Sequence, residues 1–84
     1  MNSCSLTTAF SSAEHAISAL TQAGFTVLSV MIRDSAPRIQ IARNALCEHL
    51  IQDGKANYRH LGRYARQGWF THSGCQVYWS ESLH

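Results

Sequence analysis

The spacing of hydrophobic and polar positions changes several times along the chain, and each change marks a predicted element. The sequence SSAE at positions 11–14 has the form of a capping box, so we expect a helix over about residues 12–23, with Gly24 as its C-terminal stop. Residues 1–10 are rich in Ser and Thr and show no period. We therefore predict a flexible N-terminal arm over residues 1–10 and a single folded domain over residues 11–84.

The next two runs are typical of β-strands. Residues 25–32 (FTVLSVMI) are rich in β-branched and aromatic side chains and are apolar on both faces, which predicts a central, well-covered strand. Residues 38–42 alternate between polar and apolar side chains, which places Ile39 and Ile41 inward. A turn signal over residues 33–37 separates the two runs, so we expect them to form a hairpin.

The second half of the chain is predicted to hold one more helix and two or three more strands. Asn44 can cap a helix that ends near residue 52. Residues 55–61 alternate like a strand, although their length and composition also permit a turn and a loop. Two further runs, over about residues 66–71 and 75–79, are joined by a turn signal. The predicted fold is a small α+β domain with two helices packed on one side of an antiparallel sheet, in the order αββα followed by two or three strands.

Alternation in the last two runs assigns their aromatic residues to different environments. Cys75, Val77 and Trp79 share one face of the final strand, and we expect this apolar face to be core. If Phe70 in the preceding strand also faces inward, alternation sends Trp69 outward as an exposed aromatic side chain.

Composition is that of a folded domain with a thin core, since 45% of the 84 residues are hydrophobic and 14% are charged. Forming a homo-oligomer would help a chain of this size. The formal charge of +2 is unevenly distributed, because every charged residue from position 55 to position 80 is basic. We therefore expect this half of the chain to contact something acidic, either phosphate or a carboxylate-rich protein face.

The sequence predicts a cytosolic protein that does not enter a membrane. It has no run of about 18 apolar residues, and its N-terminus lacks the basic-then-apolar order of a signal peptide. The cysteines Cys4, Cys47 and Cys75 are odd in number and irregularly spaced, which favours reduced thiols over a disulfide framework.

No arrangement of residues predicts a catalytic, metal or cofactor site. Cys47, His49, His72 and Cys75 are the right types for zinc, but no Cys-x-x-Cys pair is present, and Cys47 and His49 point to nearly opposite sides of a helix. Cys75 with His72 or His60 is conceivable as an activated nucleophile, but a cysteine on an apolar strand face is usually a small core residue. We therefore expect neither an enzyme nor a cofactor.

Two classes of binding function remain. Basic and aromatic residues interleave between positions 58 and 70, a composition used to contact phosphates and to stack on bases, and the alternative function is a small basic nucleic-acid-binding protein. The same residue types are also enriched at protein interfaces. The interleaved residues are Tyr58, Arg59, Arg63, Tyr64, Arg66, Trp69 and Phe70. The predicted partner-binding residues are Arg63, Tyr64, Arg66, Trp69 and Tyr78.

Three segments of the chain favour the protein-binding class. The sequences AGFTVLSV (23–30), PRIQIA (37–42) and RQGWFTHSGCQVYWSE (66–81) resemble the small antirepressors of lambdoid prophages of the Gifsy type, which are made under SOS control. The resemblance implies a non-enzymatic protein whose partner is a phage repressor. Such a protein binds its repressor directly and abolishes operator binding without cleavage, which promotes prophage induction in the bacterial host. A sequestering mechanism of this kind requires no catalytic residue and no direct contact with nucleic acid.

Overall fold

The helices and strands of the protein follow the order αββαβββ in a computed structural model, which describes residues 2–33 and 36–82, with side chains for 7–32 and 36–82. The elements are helix α1 (Asn2–Ala23), strands β1 (Val27–Arg33) and β2 (Ala36–Ile41), helix α2 (Ala45–Gln52), and strands β3 (Asn57–His60), β4 (Ala65–His72) and β5 (Cys75–Ser82). The predicted α+β class and element order are thus confirmed, and the ambiguous stretch 55–61 contains a short strand.

The strands form one sheet in the order β1-β2-β5-β4-β3. The hairpin β1–β2 pairs antiparallel as predicted, and so do β4–β5 and β3–β4. The two halves of the sheet join through a parallel pair between β2 and β5, in which Ile39 lies opposite Val77. The sheet is therefore mixed. The prediction of an antiparallel sheet holds for every strand pair except this central one.

The core lies on the side of the sheet that both helices cover. Ile39, Val77 and Trp79 point to this covered face and are fully buried, as the alternation predicts. Ala16 and Leu20 of α1 and Cys47 of α2 belong to the same cluster of buried residues. Phe70 also packs against this cluster from β4, so the inward orientation that was assumed for it is confirmed.

A glycine lets Trp79 cross the neighbouring strand. Gly68 of β4 lies directly opposite Trp79 of β5, and a Cβ atom at Gly68 would fall 2.0 Å from the indole ring. The missing side chain gives the ring the room to reach towards β3, where its edge meets the Tyr58 ring at a centroid distance of 6.2 Å. The tight turn after β4 is formed by Ser73 and Gly74, both with positive φ, as expected of a short hairpin connection.

Two sequence predictions about these elements are wrong. Helix α1 begins at Asn2, whereas the sequence predicted a helix start near residue 12 after a flexible arm, and Ser11 lies inside the helix, where it cannot cap it. Strand β1 is an edge strand of the sheet, whereas the apolar run 25–32 predicted a central and well-covered one. Leu28 and Met31 of this strand are accordingly exposed.

Candidate functional site: the open face of the sheet

The side of the sheet opposite the helices is exposed, and we call it the open face. None of the residues that the described strands direct to this side is buried. They are Ser29 and Met31 of β1, Ala36, Arg38 and Gln40 of β2, Gln76, Tyr78, Ser80 and Ser82 of β5, Ala65, Gln67, Trp69 and Thr71 of β4, and Asn57 and Arg59 of β3.

Two of the five predicted partner-binding residues meet at the centre of the open face. Trp69 of β4 and Tyr78 of β5 are directly opposite each other in the antiparallel pair, and both are partly exposed. Side chains directly opposite each other on neighbouring strands project side by side from the same face, so Trp69 and Tyr78 together give this face its aromatic surface. Trp69 lies on the other side of the sheet from Phe70 and Val77, which confirms the outward orientation predicted for it.

A third residue of this surface, Arg38, was placed outward by the sequence but was not assigned to the site. Its guanidinium carbon lies 5.0 Å from the centroid of the Tyr78 ring, within the range of a cation–π contact. The parallel pairing of β2 with β5 brings Arg38 next to the aromatic pair. The alternation of residues 38–42 gives the side that Arg38 occupies, but no local signal indicates which strand lies beside it.

The other three predicted site residues lie elsewhere. Arg63 and Tyr64 are exposed in the loop between β3 and β4, and the exposed fraction of Tyr64 is 68%. Arg66 lies on the covered face, opposite Glu81 in the pair of β4 with β5. Its guanidinium stacks over the Tyr58 ring at 3.7 Å from the centroid. Arg66 therefore does not share a surface with Trp69 and Tyr78.

Glu81 organises a polar cluster at the end of the covered face that no sequence pattern indicated. Its carboxylate accepts hydrogen bonds from the Trp79 Nε1 at 2.8 Å, the Tyr58 hydroxyl at 2.9 Å and the Arg66 Nε at 3.0 Å. Arg43, which precedes α2, adds an ion pair at 3.4 Å. The side chain of Glu81 is only 7% exposed, so its charge is compensated almost entirely by the protein.

The protonation of Glu81 follows from these partners. Burial alone would raise the pKa of its carboxyl, but the hydrogen bonds from Trp79, Tyr58 and Arg66 favour the charged form and lower the pKa below its ordinary value. Burial and the bond to Glu81 raise the pKa of the Tyr58 phenol, which keeps that phenol a donor at neutral pH. Arg66, whose side chain is 32% exposed, thus compensates the charge of Glu81 in this cluster.

The thiols and histidines considered for chemistry lie apart from the open face. Cys47 and Cys75 are free, fully buried thiols, and burial raises the pKa of both. The Cys75 thiol donates to the Ser73 backbone oxygen at 3.8 Å, and its burial and raised pKa keep it protonated, unlike an activated nucleophile. Over the described part of the chain, no three His, Cys, Asp or Glu side chains are grouped as metal ligands would be.

Charge on the open face is low and of one sign. Arg38 and Arg59 are basic, and none of the strand residues described on this face is acidic. The interleaved stretch 58–70 does not form one basic and aromatic surface, because alternation sends Tyr58 and Phe70 to the covered face and Arg59 to the open face.

Neither of the helices in the described residues is long and apolar enough to cross a membrane. In comparisons with known proteins, no family model, curated protein or solved structure matches this chain.

Proposed function

We propose that this chain is a non-enzymatic phage antirepressor that binds a prophage repressor and prevents it from binding its operator, thereby promoting prophage induction. The segments 23–30, 37–42 and 66–81 that resemble Gifsy-type antirepressors support this proposal, because they supply most of β1, β2, β4 and β5. The partner is a repressor protein in the cytoplasm of the bacterial host, and the mechanism needs no cofactor. Free thiols at Cys47 and Cys75 fit that reducing compartment.

The observation that carries the proposal is the partly exposed aromatic surface of Trp69 and Tyr78 with Arg38 beside it. Tryptophan, tyrosine and arginine are the residues that most often dominate binding energy at protein interfaces. Here they lie at the centre of a sheet face, on β2, β5 and β4, where the strands hold them in fixed positions. The neighbouring polar residues Gln40, Gln67 and Gln76 can form the hydrogen-bonding rim that surrounds such a centre.

Antagonism by binding follows from how repressors hold DNA. A repressor dimer gains affinity by contacting two half-sites at once, so a partner that covers one reading head or changes the spacing of the heads removes that gain. The basic character of Arg38 and Arg59 fits an acidic or neutral surface on the repressor. Stoichiometric sequestration of this kind leaves the repressor intact.

One observation favours the second candidate, a small nucleic-acid-binding protein. Aromatic residues beside arginine on an exposed sheet face, such as Trp69 and Tyr78 beside Arg38, are a surface on which unpaired bases can stack. The number of cations is small, however, since the described strands place only Arg38, Arg59 and, at the end of β1, Arg33 at positions of this face. So few charges neutralise few phosphates, and the protein-binding function accounts better for the surface.

A gel-shift titration tests the proposal directly. A repressor encoded near this gene is bound to its operator, the protein is added in increasing amounts, and the repressor is then analysed by denaturing gel electrophoresis. Release of the operator with uncleaved repressor is the expected result. A repressor that stays on its operator while the protein itself shifts DNA, with a strong loss between about 0.05 and 0.2 M salt, would establish the nucleic-acid function in its place.

The open face is tested by substitution in the same assay. Trp69→Ala removes half of the aromatic surface, and we expect the concentration needed to release the operator to rise about 30-fold, as for an interface residue worth about 2 kcal/mol. Leu46→Ala is the control, because Leu46 is an exposed apolar side chain on α2, away from the open face. Equal activity of the two variants would exclude the open face as the repressor-binding surface.

A further inference from the structure

Strand β1 is an open edge of the sheet. Its seven residues, Val27–Arg33, pair with β2 on one side only. The backbone N–H and C=O groups along the other side can therefore pair with a strand from another molecule. Edge strands are usually protected by proline, charge, a bulge or a very short length. In β1 the charge, Arg33, and the bulge between Val27 and Ser29 lie at the two ends, and the middle of the strand has no such protection.

Exposed apolar side chains are concentrated at this edge. Of the seven large hydrophobic side chains that are exposed in the described residues, four belong to β1 or to the helix above it. These four are Phe10, Leu28, Val30 and Met31. They lie on both faces of the edge, since Val30 is on the covered face and Met31 on the open face. An apolar cluster beside an unpaired strand is typical of an interface.

A groove between α1 and β1 continues this apolar surface on the covered side. Its volume is about 750 Å³. Phe10 and Ile17 line it from the helix, and Val30 and Ile32 line it from the strand. Glu14 is the one charged residue among those that line it in the described part of the chain. The groove therefore extends the buried area that a partner at the β1 edge would obtain.

We propose that the edge of β1 pairs antiparallel with β1 of a second copy of this chain, forming a two-fold symmetric dimer with a continuous sheet. A two-fold axis perpendicular to the sheet keeps both α1 helices on the same side. Each helix then lies above the junction and covers the groove of its partner, where Phe10 and Val30 are exposed. The inference concerns a different surface from the open face and does not depend on the proposed function.

Charge favours a second copy as the occupant of this edge. In a symmetric antiparallel pair the central residues of β1 lie near their own equivalents, so a charge there would repel itself. Residues 27–32 (VLSVMI) carry no charge, and in a pair centred near Val30 the terminal Arg33 lies across from Val27, so the strand can pair with itself without that cost. The apolar residues on each face of one copy meet the same apolar residues of the other.

The opposite edge of the sheet explains why the assembly closes at two copies. Strand β3 has only four residues, Asn57–His60, and carries the exposed Arg59. A short, charged edge is a poor template for strand pairing. With one edge able to pair, association through β1 produces a closed dimer, whereas two competent edges would allow open-ended growth.

Light scattering after size-exclusion chromatography tests the dimer with the intact chain. We expect a mass of twice the 9.4 kDa chain, and Val30→Lys should raise the dissociation constant at least tenfold because it places two cations near the symmetry axis. Leu61→Lys is the matched control, since Leu61 is exposed in the loop after β3 and should leave the dimer intact. Circular dichroism verifies that each variant is folded. If Val30→Lys does not fold, Leu28→Lys provides a second substitution at the same edge.

Hydrogen exchange locates the interface. The amides of residues 27–33 that face the open edge should be protected in the dimer and exchange rapidly after dilution or in Val30→Lys. The proposal is overturned if the chain is monomeric at every concentration, or if the dimer survives both folded β1 variants. It is also overturned if the β1 amides become protected only when a repressor is added, because the edge would then accept a strand from that partner.

Discussion

At the residue scale, the position of Trp79 depends on the absence of a side chain at Gly68. The indole crosses β4 at this glycine and places its Nε1 2.8 Å from the Glu81 carboxylate. A glycine in the interior of a strand weakens that strand unless another group approaches closely, and here the approaching group is the largest fully buried side chain of the core. One residue thus sets both the core packing and the geometry of the Glu81 cluster.

We therefore expect Gly68→Ala to destabilise the fold. The added Cβ would fall 2.0 Å from the Trp79 ring, so the indole must shift, and overpacking of this kind typically lowers the free energy of unfolding by about 1–3 kcal/mol. Urea denaturation followed by tryptophan fluorescence measures the change. The control is Gln67→Ala on the open face, which should change the free energy by less than about 0.5 kcal/mol. Equal stability of Gly68→Ala and the parent would show that the ring is not confined there.

Alternation predicted the residue-scale assignments well. Trp79 inward, Trp69 outward and the Ile39–Val77 core all follow from a period of two, because each strand has one covered face. The role of Glu81 could not be predicted in the same way. Its partners Tyr58 and Arg66 are distant in sequence, and only the register of three strands brings them to one carboxylate.

At the element scale, packing extended α1 beyond the predicted start. The capping box at Ser11 is a local signal worth about 1 kcal/mol, and the helix continues through it to Asn2. Ala9 is buried and lies four residues before Ala13, so the apolar stripe of the helix begins earlier than the predicted helix start. Tertiary contact along such a stripe contributes more to a helix than a single cap.

The start of α2 was predicted correctly, and its cap can be tested. The Asn44 side chain accepts a hydrogen bond from the Leu46 backbone N–H at 2.9 Å and donates one to the Gly24 backbone oxygen at 3.3 Å. Asn44→Ala removes both, so we expect the free energy of unfolding to fall by about 1 kcal/mol. Thermal denaturation measures this, with Asn57→Ala on the exposed β3 as the matched control. A loss no larger than that of the control would mean that the cap contributes nothing measurable.

At the scale of the whole molecule, the sheet order decides which surfaces exist. Strand β5 inserts between β2 and β4, so the pairing of β2 with β5 joins segments separated by α2 and two strands. Periodicity assigns faces to strands but carries no information about which strands are neighbours. For this reason the sequence could predict Trp69 as exposed, but could not place Arg38 beside Tyr78 or identify β1 as an edge.

The same topology makes Glu81 a junction between elements. Its carboxylate binds Tyr58 on β3, Arg66 on β4 and Trp79 on β5, and Arg43 connects it to the segment before α2. When unfolding separates these elements, the carboxylate loses its hydrogen-bond donors to water and its pKa returns to the ordinary value. The fold is therefore stabilised by keeping Glu81 charged.

This linkage predicts acid sensitivity that is specific to Glu81. Because the folded state lowers the pKa of this carboxyl, its contribution is fully present above the ordinary glutamate pKa of about 4.3 and is lost as the pH falls through the lower pKa of the folded state. At pH near 7, Glu81→Gln should lower the free energy of unfolding by about 1–3 kcal/mol, since the amide leaves charged donors poorly paired.

The decisive measurement is how this difference depends on pH. Urea denaturation of the parent and Glu81→Gln from neutral to acidic pH should show the difference shrinking as Glu81 of the parent becomes protonated. Glu48→Gln makes the same change of charge at an exposed ion pair with Arg43 and should alter stability by less than about 1 kcal/mol at every pH. A difference for Glu81→Gln that stays constant with pH would mean that side-chain shape, and not the carboxylate charge, holds the three strands together at this end of the sheet.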